Sequence, residues 1–194
     1  MSTNSQTQQG RGALEVRDDG KYVLRFERRL AHPPDRVWGA LTEPDRLRHW
    51  FPTDIEGERK VGARIRFVFR EGEGPTEDMS EVLEDTAPKT LDGEITDLDE
   101  PRLLAYTWGD EALRWELRPD GDGCLLAFTH SFDERGGNFR HPEGPRKKGA
   151  RDASGWELCL NGLEAVLDGR RIELDQEPDE RWQGLYERYV REFG

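Results

Sequence analysis

The chain of 194 residues carries 29 Lys and Arg against 41 Asp and Glu, a formal net charge of −12, with 34% hydrophobic and 36% charged residues. That length fits one domain, and the acidic balance excludes phosphate-driven binding to nucleic acid and disfavours anionic membrane surfaces. No run approaches the roughly 20 apolar residues that cross a bilayer, and Met1 to Gly12 lacks the apolar core of a signal peptide, so a cytoplasmic protein is expected.

Residues 1–19 begin with a stretch rich in Ser, Thr, Gln and Gly that cannot offset the entropy of ordering, and read as a flexible leader. From Tyr22 to Leu30 the residues alternate, Tyr22, Leu24, Phe26 and Arg28 on one face and Val23, Arg25, Glu27 and Arg29 on the other, the period of a strand. Pro33-Pro34 breaks it. Val37, Trp38 and Leu41 then recur at helical spacing with proline in the first turn, and a second short turn follows over Asp45 to Trp50. Strand signals return at Ala63 to Phe69. Between Glu71 and Asp85 lie seven acidic residues and no basic one, with Gly72, Gly74 and Pro75 among them, the composition of a solvated loop.

Gly93 to Leu98, Arg102 to Trp108, Ala112 to Arg118 and Cys124 to Phe132 read as strands of an antiparallel meander, separated by short turn-forming segments. Leu104, Tyr106 and Trp108 share a face, as do Leu113, Trp115 and Leu117, and Leu126, Phe128 and His130, so that one concave surface would collect them. Asp133 to Asp152 is polar and locally basic, a long loop. Ser154 is placed to cap a helix in which Trp156, Leu160, Leu163 and Leu167 form one stripe, with Gly169 at its end. A second amphipathic helix starts near Asp179 and carries Trp182, Leu185, Tyr186, Tyr189, Val190 and Phe193 on one side.

The residues that carry chemistry are few. Cys124 and Cys159 sit among apolar neighbours as buried free thiols, against the alternative of a disulfide or metal site. The four histidines lack metal-ligand spacing, so no metal and no cofactor are expected. No nucleophile elbow, P-loop or dinucleotide fingerprint occurs, so no catalytic residue is assigned and the sequence leans away from an enzyme. His130 points at the concave face, either as a polar anchor for a ligand or as a core histidine bonded within the protein. The basic loop before the long helix suggests an anion-tolerant mouth, or else a solvated loop paired with the acidic 71–85 segment.

Arg36-Val37-Trp38-Gly39-Ala40-Leu41-Thr42 followed by Leu47-Arg48-His49-Trp50-Phe51, the strand Pro101 to Trp108, Leu126 to Ser131, and Gly155-Trp156 with Leu160, Leu163 and Leu167 together resemble the START-like or SRPBCC superfamily. Within it they are most similar to the family related to the activator of heat-shock protein 90 ATPase, in its standalone bacterial form. The resemblance covers residues 20 to about 170. It implies an α+β helix-grip fold: a curved antiparallel sheet of about six or seven strands around a long C-terminal helix, with two short helices after the first strand. The domain would run over 20–170, and 171–194 would pack on it or on a partner subunit as a homodimer.

The resemblance also implies a cavity between sheet and long helix for a small hydrophobic or aromatic ligand. Its lining would be Trp50, Phe67, Tyr106, Trp108, Trp115, Phe128, His130, Trp156 and Leu160, although core filling competes for each aromatic. Two alternatives stay open: a chaperone-associated regulator, and a polyketide cyclase or aromatase-like enzyme with His130 and Tyr106 as acid and base.

Overall fold

Strict alternation in the most central strands dictates the sheet. The computed structural model describes residues 10–70, 90–134, 140–170 and 180–194. In chain order the elements are β1 (Ala13–Val16), β2 (Tyr22–Leu30), α1 (Pro34–Thr42), α2 (Pro44–Leu47), β3 (Thr53–Gly57), β4 (Arg64–Phe69), β5 (Thr90–Asp99), β6 (Leu103–Trp108), β7 (Glu111–Asp120), β8 (Gly123–Phe132), α3 (Pro145–Leu167) and α4 (Glu180–Phe193). The strands form one curved sheet in the order β1-β2-β8-β7-β6-β5-β4-β3, and every neighbouring pair is antiparallel.

In β8 every second residue, Cys124, Leu126, Phe128, His130 and Phe132, is buried. Register carries that face across the sheet. Leu24, His130, Leu113, Tyr106 and Ile95 are successive cross-strand partners, and Phe26, Phe128, Trp115, Leu104 and Leu98 form the next row. Such rows are the unit by which a sheet gains stability from its side chains.

The helix α3 grips this face. Trp156, Leu160, Leu163 and Leu167 are all buried, as the stripe of their spacing predicts. At Gly162 the helix comes so near the short helices that an added Cβ would lie 3.1 Å from the Trp50 Cβ. Prolines start α1 and α2 at their first positions, where a missing N–H costs nothing, and the Trp50 indole donates to the Ala40 carbonyl at 2.8 Å, tying the two short helices together. Arg28, on the inward-facing set of β2, reaches Asn161 on α3 at 3.3 Å.

Four expectations change. Order begins before residue 20, because Ala13–Val16 pairs with Val16↔Tyr22 to Ala13↔Arg25 as an edge strand. Thr53–Gly57 adds a second unforeseen strand at the other edge, which raises the count to eight. The stretch 133–152 is not one long loop, since α3 already starts at Pro145. Ser154 therefore caps nothing: it is buried mid-helix and its hydroxyl donates to the Ala150 carbonyl at 2.8 Å. The acidic 71–85 segment lies outside the described residues.

At the far end α4 packs on α3 through buried Tyr189 and Phe193. The Tyr189 hydroxyl accepts the Gly12 N–H at 2.8 Å and donates to Glu157 of α3, so the chain ahead of β1 and the last helix meet there. No helix among the described residues is long and apolar enough to cross a membrane.

Candidate functional site

Where the long helix faces the sheet, aromatic rings fill the interior. Trp115 stacks on Phe128 with centroids 3.9 Å apart, and Phe128 meets Trp156 edge-on at 4.7 Å. Trp50 abuts Trp115 at 5.6 Å, and Phe67 lies 4.4 Å from Trp108. Leu160 is fully buried on α3. Rings at such separations are in direct contact, and their edge-on and offset geometry is favourable in its own right.

Beside these rings lies a buried polar cluster. The His130 Nε2–H donates to Glu111 at 2.5 Å, while its Nδ1 accepts the Trp156 indole N–H at 3.0 Å. Since an indole only donates, the histidine is fixed as the Nε2–H tautomer and both nitrogens are engaged. The Lys148 ammonium is 2.9 Å from Glu111 and 2.5 Å from Asp152, and 4.5 Å from the Phe132 ring centroid. Arg151 pairs with the other Asp152 oxygen at 3.0 Å.

Two carboxylates thus face two cations. Burial alone would push the Asp152 carboxyl upward, but Lys148 and Arg151 outweigh it and hold the group well below the usual carboxylate range. Glu111, His130 and Asp152 bring three ligand-type atoms within 4.8 Å of one another, and the Lys148 ammonium already stands between the two carboxylates. Periodicity missed Glu111, Lys148 and Asp152 because it assigns charged residues to solvent.

Open space lies instead beneath the short helices. A cavity of about 350 Å³ is walled by Leu41 and Thr42 of α1, Pro44 and Leu47 of α2, Ile55 and Gly57 of β3, Ile65 of β4, Ile95 of β5, and Leu104 and Tyr106 of β6, with Arg59 from the turn after β3. Of the nine residues expected to line a cavity, Tyr106 is the one found in this wall. Trp50, Phe67, Trp108, Trp115, Phe128, His130, Trp156 and Leu160 lie outside it, in the packed interior. The cavity also belongs to α1, α2 and β3–β6 rather than to α3.

Its polar groups are sparse. The Thr42 hydroxyl is committed to the Trp38 carbonyl at 2.7 Å. The Tyr106 hydroxyl accepts the Trp115 indole N–H at 3.1 Å, which leaves its own proton without an acceptor among the described residues. Burial pushes the phenol well above its ordinary value, and the Trp115 bond offsets only part of that, so it remains a neutral donor.

His130 and Tyr106 are not brought together. Leu113 stands between them in the cross-strand row, about 10 Å of sheet separates their backbones, and His130 is 3% exposed. The aliphatic wall as a unit escaped the sequence because its residues are spread over six elements and β3 itself gave no strand signal. Alternation gave a hint in β6, where Leu104 shares the concave face with Tyr106.

A smaller, polar cleft of about 220 Å³ sits at the start of α3, lined by Asp133, Glu134, Arg140 and His141 and by Lys148. Acidic and basic groups mix there, so the excess positive charge expected of the 135–151 stretch is not concentrated in it. Cys124 and Cys159 are free thiols, and burial pushes Cys159 up to about 12.

Residues 31–168 match the family model described as activator of Hsp90 ATPase homolog 1-like protein. No curated protein matches the chain. Among solved structures it is similar to a conserved protein of unknown function from Enterococcus faecalis, with TM-score 0.65 and 22% identity over 93% of this chain and 88% of that one. It is also similar to CalU16 from Micromonospora echinospora, with TM-score 0.63 and 19% identity over 94% and 96%. The Aha1 dimer from Colwellia psychrerythraea matches at TM-score 0.53 and 20% identity over 75% and 95%. At these identities the likeness is one of fold.

Proposed function

Since the chain belongs to the activator of Hsp90 ATPase homolog 1-like family, we propose that it is a helix-grip binding protein that holds a small apolar or aromatic molecule in the cavity beneath α1 and α2. One observation carries this reading: beside the interlocking rings, about 350 Å³ stays open within an aliphatic wall. That volume falls at the lower end of the roughly 300–1,000 Å³ range of ligand pockets, and apolar walls with few polar groups are their usual chemistry. Apolar wall exposed to water is unfavourable, and an apolar occupant would cover it. The Tyr106 proton supplies a directional contact for an acceptor atom on the ligand.

Titration with the neutral fluorophore N-phenyl-1-naphthylamine tests the reading. Saturable one-to-one binding is expected for the native chain, and Leu47→Phe, which fills the cavity, should abolish it while Leu160→Phe leaves it in place. Unchanged binding in Leu47→Phe would remove the cavity as the site.

A further inference from the structure

Resting on the reading of the cavity as a binding site, we infer that its ligand is an amphiphile with a carboxylate or comparable monoanionic head, which Arg59 receives at the mouth. Arg59 is the one charged side chain in the cavity wall. It forms no hydrogen bond or ion pair with any other group among the described residues, whereas most arginines of the sheet and helices are paired, as Arg28, Arg46, Arg114 and Arg188 are.

Its side chain stands exposed at the rim of the cavity. Partial burial lowers its affinity for the proton, against the opposing pull of Glu100 and Glu43. The Glu43 carboxylate is itself engaged by Arg46 at 2.8 Å, so it does not serve as the partner. A guanidinium that no protein acceptor holds keeps its planar fork available, and that fork matches a carboxylate in two parallel bonds.

The backbone that presents it is tightly held. Gly57, two residues earlier, has φ +126°, and a Cβ there would stand 2.7 Å from the Arg64 carbonyl, a conformation and an approach that favour glycine. With Thr42 committed to Trp38, the Tyr106 hydroxyl is the other donor in the wall. The aliphatic wall accepts the body of the ligand and these donors its acidic end.

Calorimetry on the full chain at low ionic strength and pH 7 decides the matter with a matched pair, 2-naphthoate and 2-naphthylmethanol, on the native protein and on Arg59→Gln. The native chain should prefer the carboxylate by about tenfold or more, the factor of an ordinary charge-assisted hydrogen bond, and Arg59→Gln should lose that preference with the alcohol unaffected. Equal affinities in the native chain would overturn the anionic head and leave the cavity reading intact. A preference that survives in Arg59→Gln would overturn Arg59 as the receptor of that head. Binding of neither compound would overturn this inference and the cavity reading together.

Discussion

Two regions of one interior are solved in opposite ways. Beneath α3 the sheet is met by rings in contact, Trp115 on Phe128 on Trp156, with Lys148, Arg151, Glu111 and Asp152 buried as a balanced set. Beneath α1 and α2 the same sheet is met by aliphatic side chains that stop short of one another and leave a cavity. The contrast teaches that burial by itself does not mark a site. Tyr106 and Trp115 are equally buried and hydrogen-bonded to each other, yet one belongs to the cavity wall and the other to the filled core.

The comparison breaks if the filled region tolerates what it should not. Trp115→Ala removes a ring in contact with Trp50, Phe51, Phe128 and Trp156, and urea denaturation should show a loss of about 3–5 kcal/mol. Lys148→Met leaves Glu111 and Asp152 short of a counter-charge and should cost up to about 3–5 kcal/mol at neutral pH by the same measurement.

The sign of the pH dependence follows from Asp152. Its folded-state affinity for the proton lies below the unfolded one, so its contribution is complete above the ordinary carboxylate value of about 3.9 and fades as pH falls through the lower folded value. Urea midpoints should accordingly show the native chain's advantage over Asp152→Asn at pH 7 shrinking at pH 3. An advantage that grows in acid would contradict the paired state of this carboxylate.

A finer contrast comes from adding the same ring to each region. Leu160→Phe should cost about 1–3 kcal/mol through overpacking. Leu47→Phe, which extends into open space, should be neutral or stabilise by up to about 1 kcal/mol. Thermal melts of the two variants side by side read the difference, and equal losses would mean that the two regions are packed alike.

Legibility in the sequence followed the same division. β2 was readable to its ends because Leu24 and Phe26 alternate with Arg25 and Glu27, and the central meander because its turns carry Gly, Pro and Asp. β1 gave no signal: it is short, largely exposed, and held by an edge of backbone hydrogen bonds and by the Gly12–Tyr189 contact. The first turns of α3 hid for the reverse reason, since their inward face carries Lys148 and Arg151, buried at 2% and 7% exposure. The roles of Arg59 and Ile55 depend on where β3 lies, and nothing in residues 53–59 announces that place.

What the sequence by itself determined is the helix-grip architecture, through periodicities of two and of three to four residues that are local properties of the chain, together with a family resemblance that residues 31–168 bear out. What only the tertiary structure decided is which buried residues touch and which face open space. Volume left between α1, α2 and β3–β6 is a difference between large packed volumes contributed by distant segments, and no local pattern records it. The pairing of Lys148 with Glu111, 37 positions apart in sequence number, is likewise set by folding.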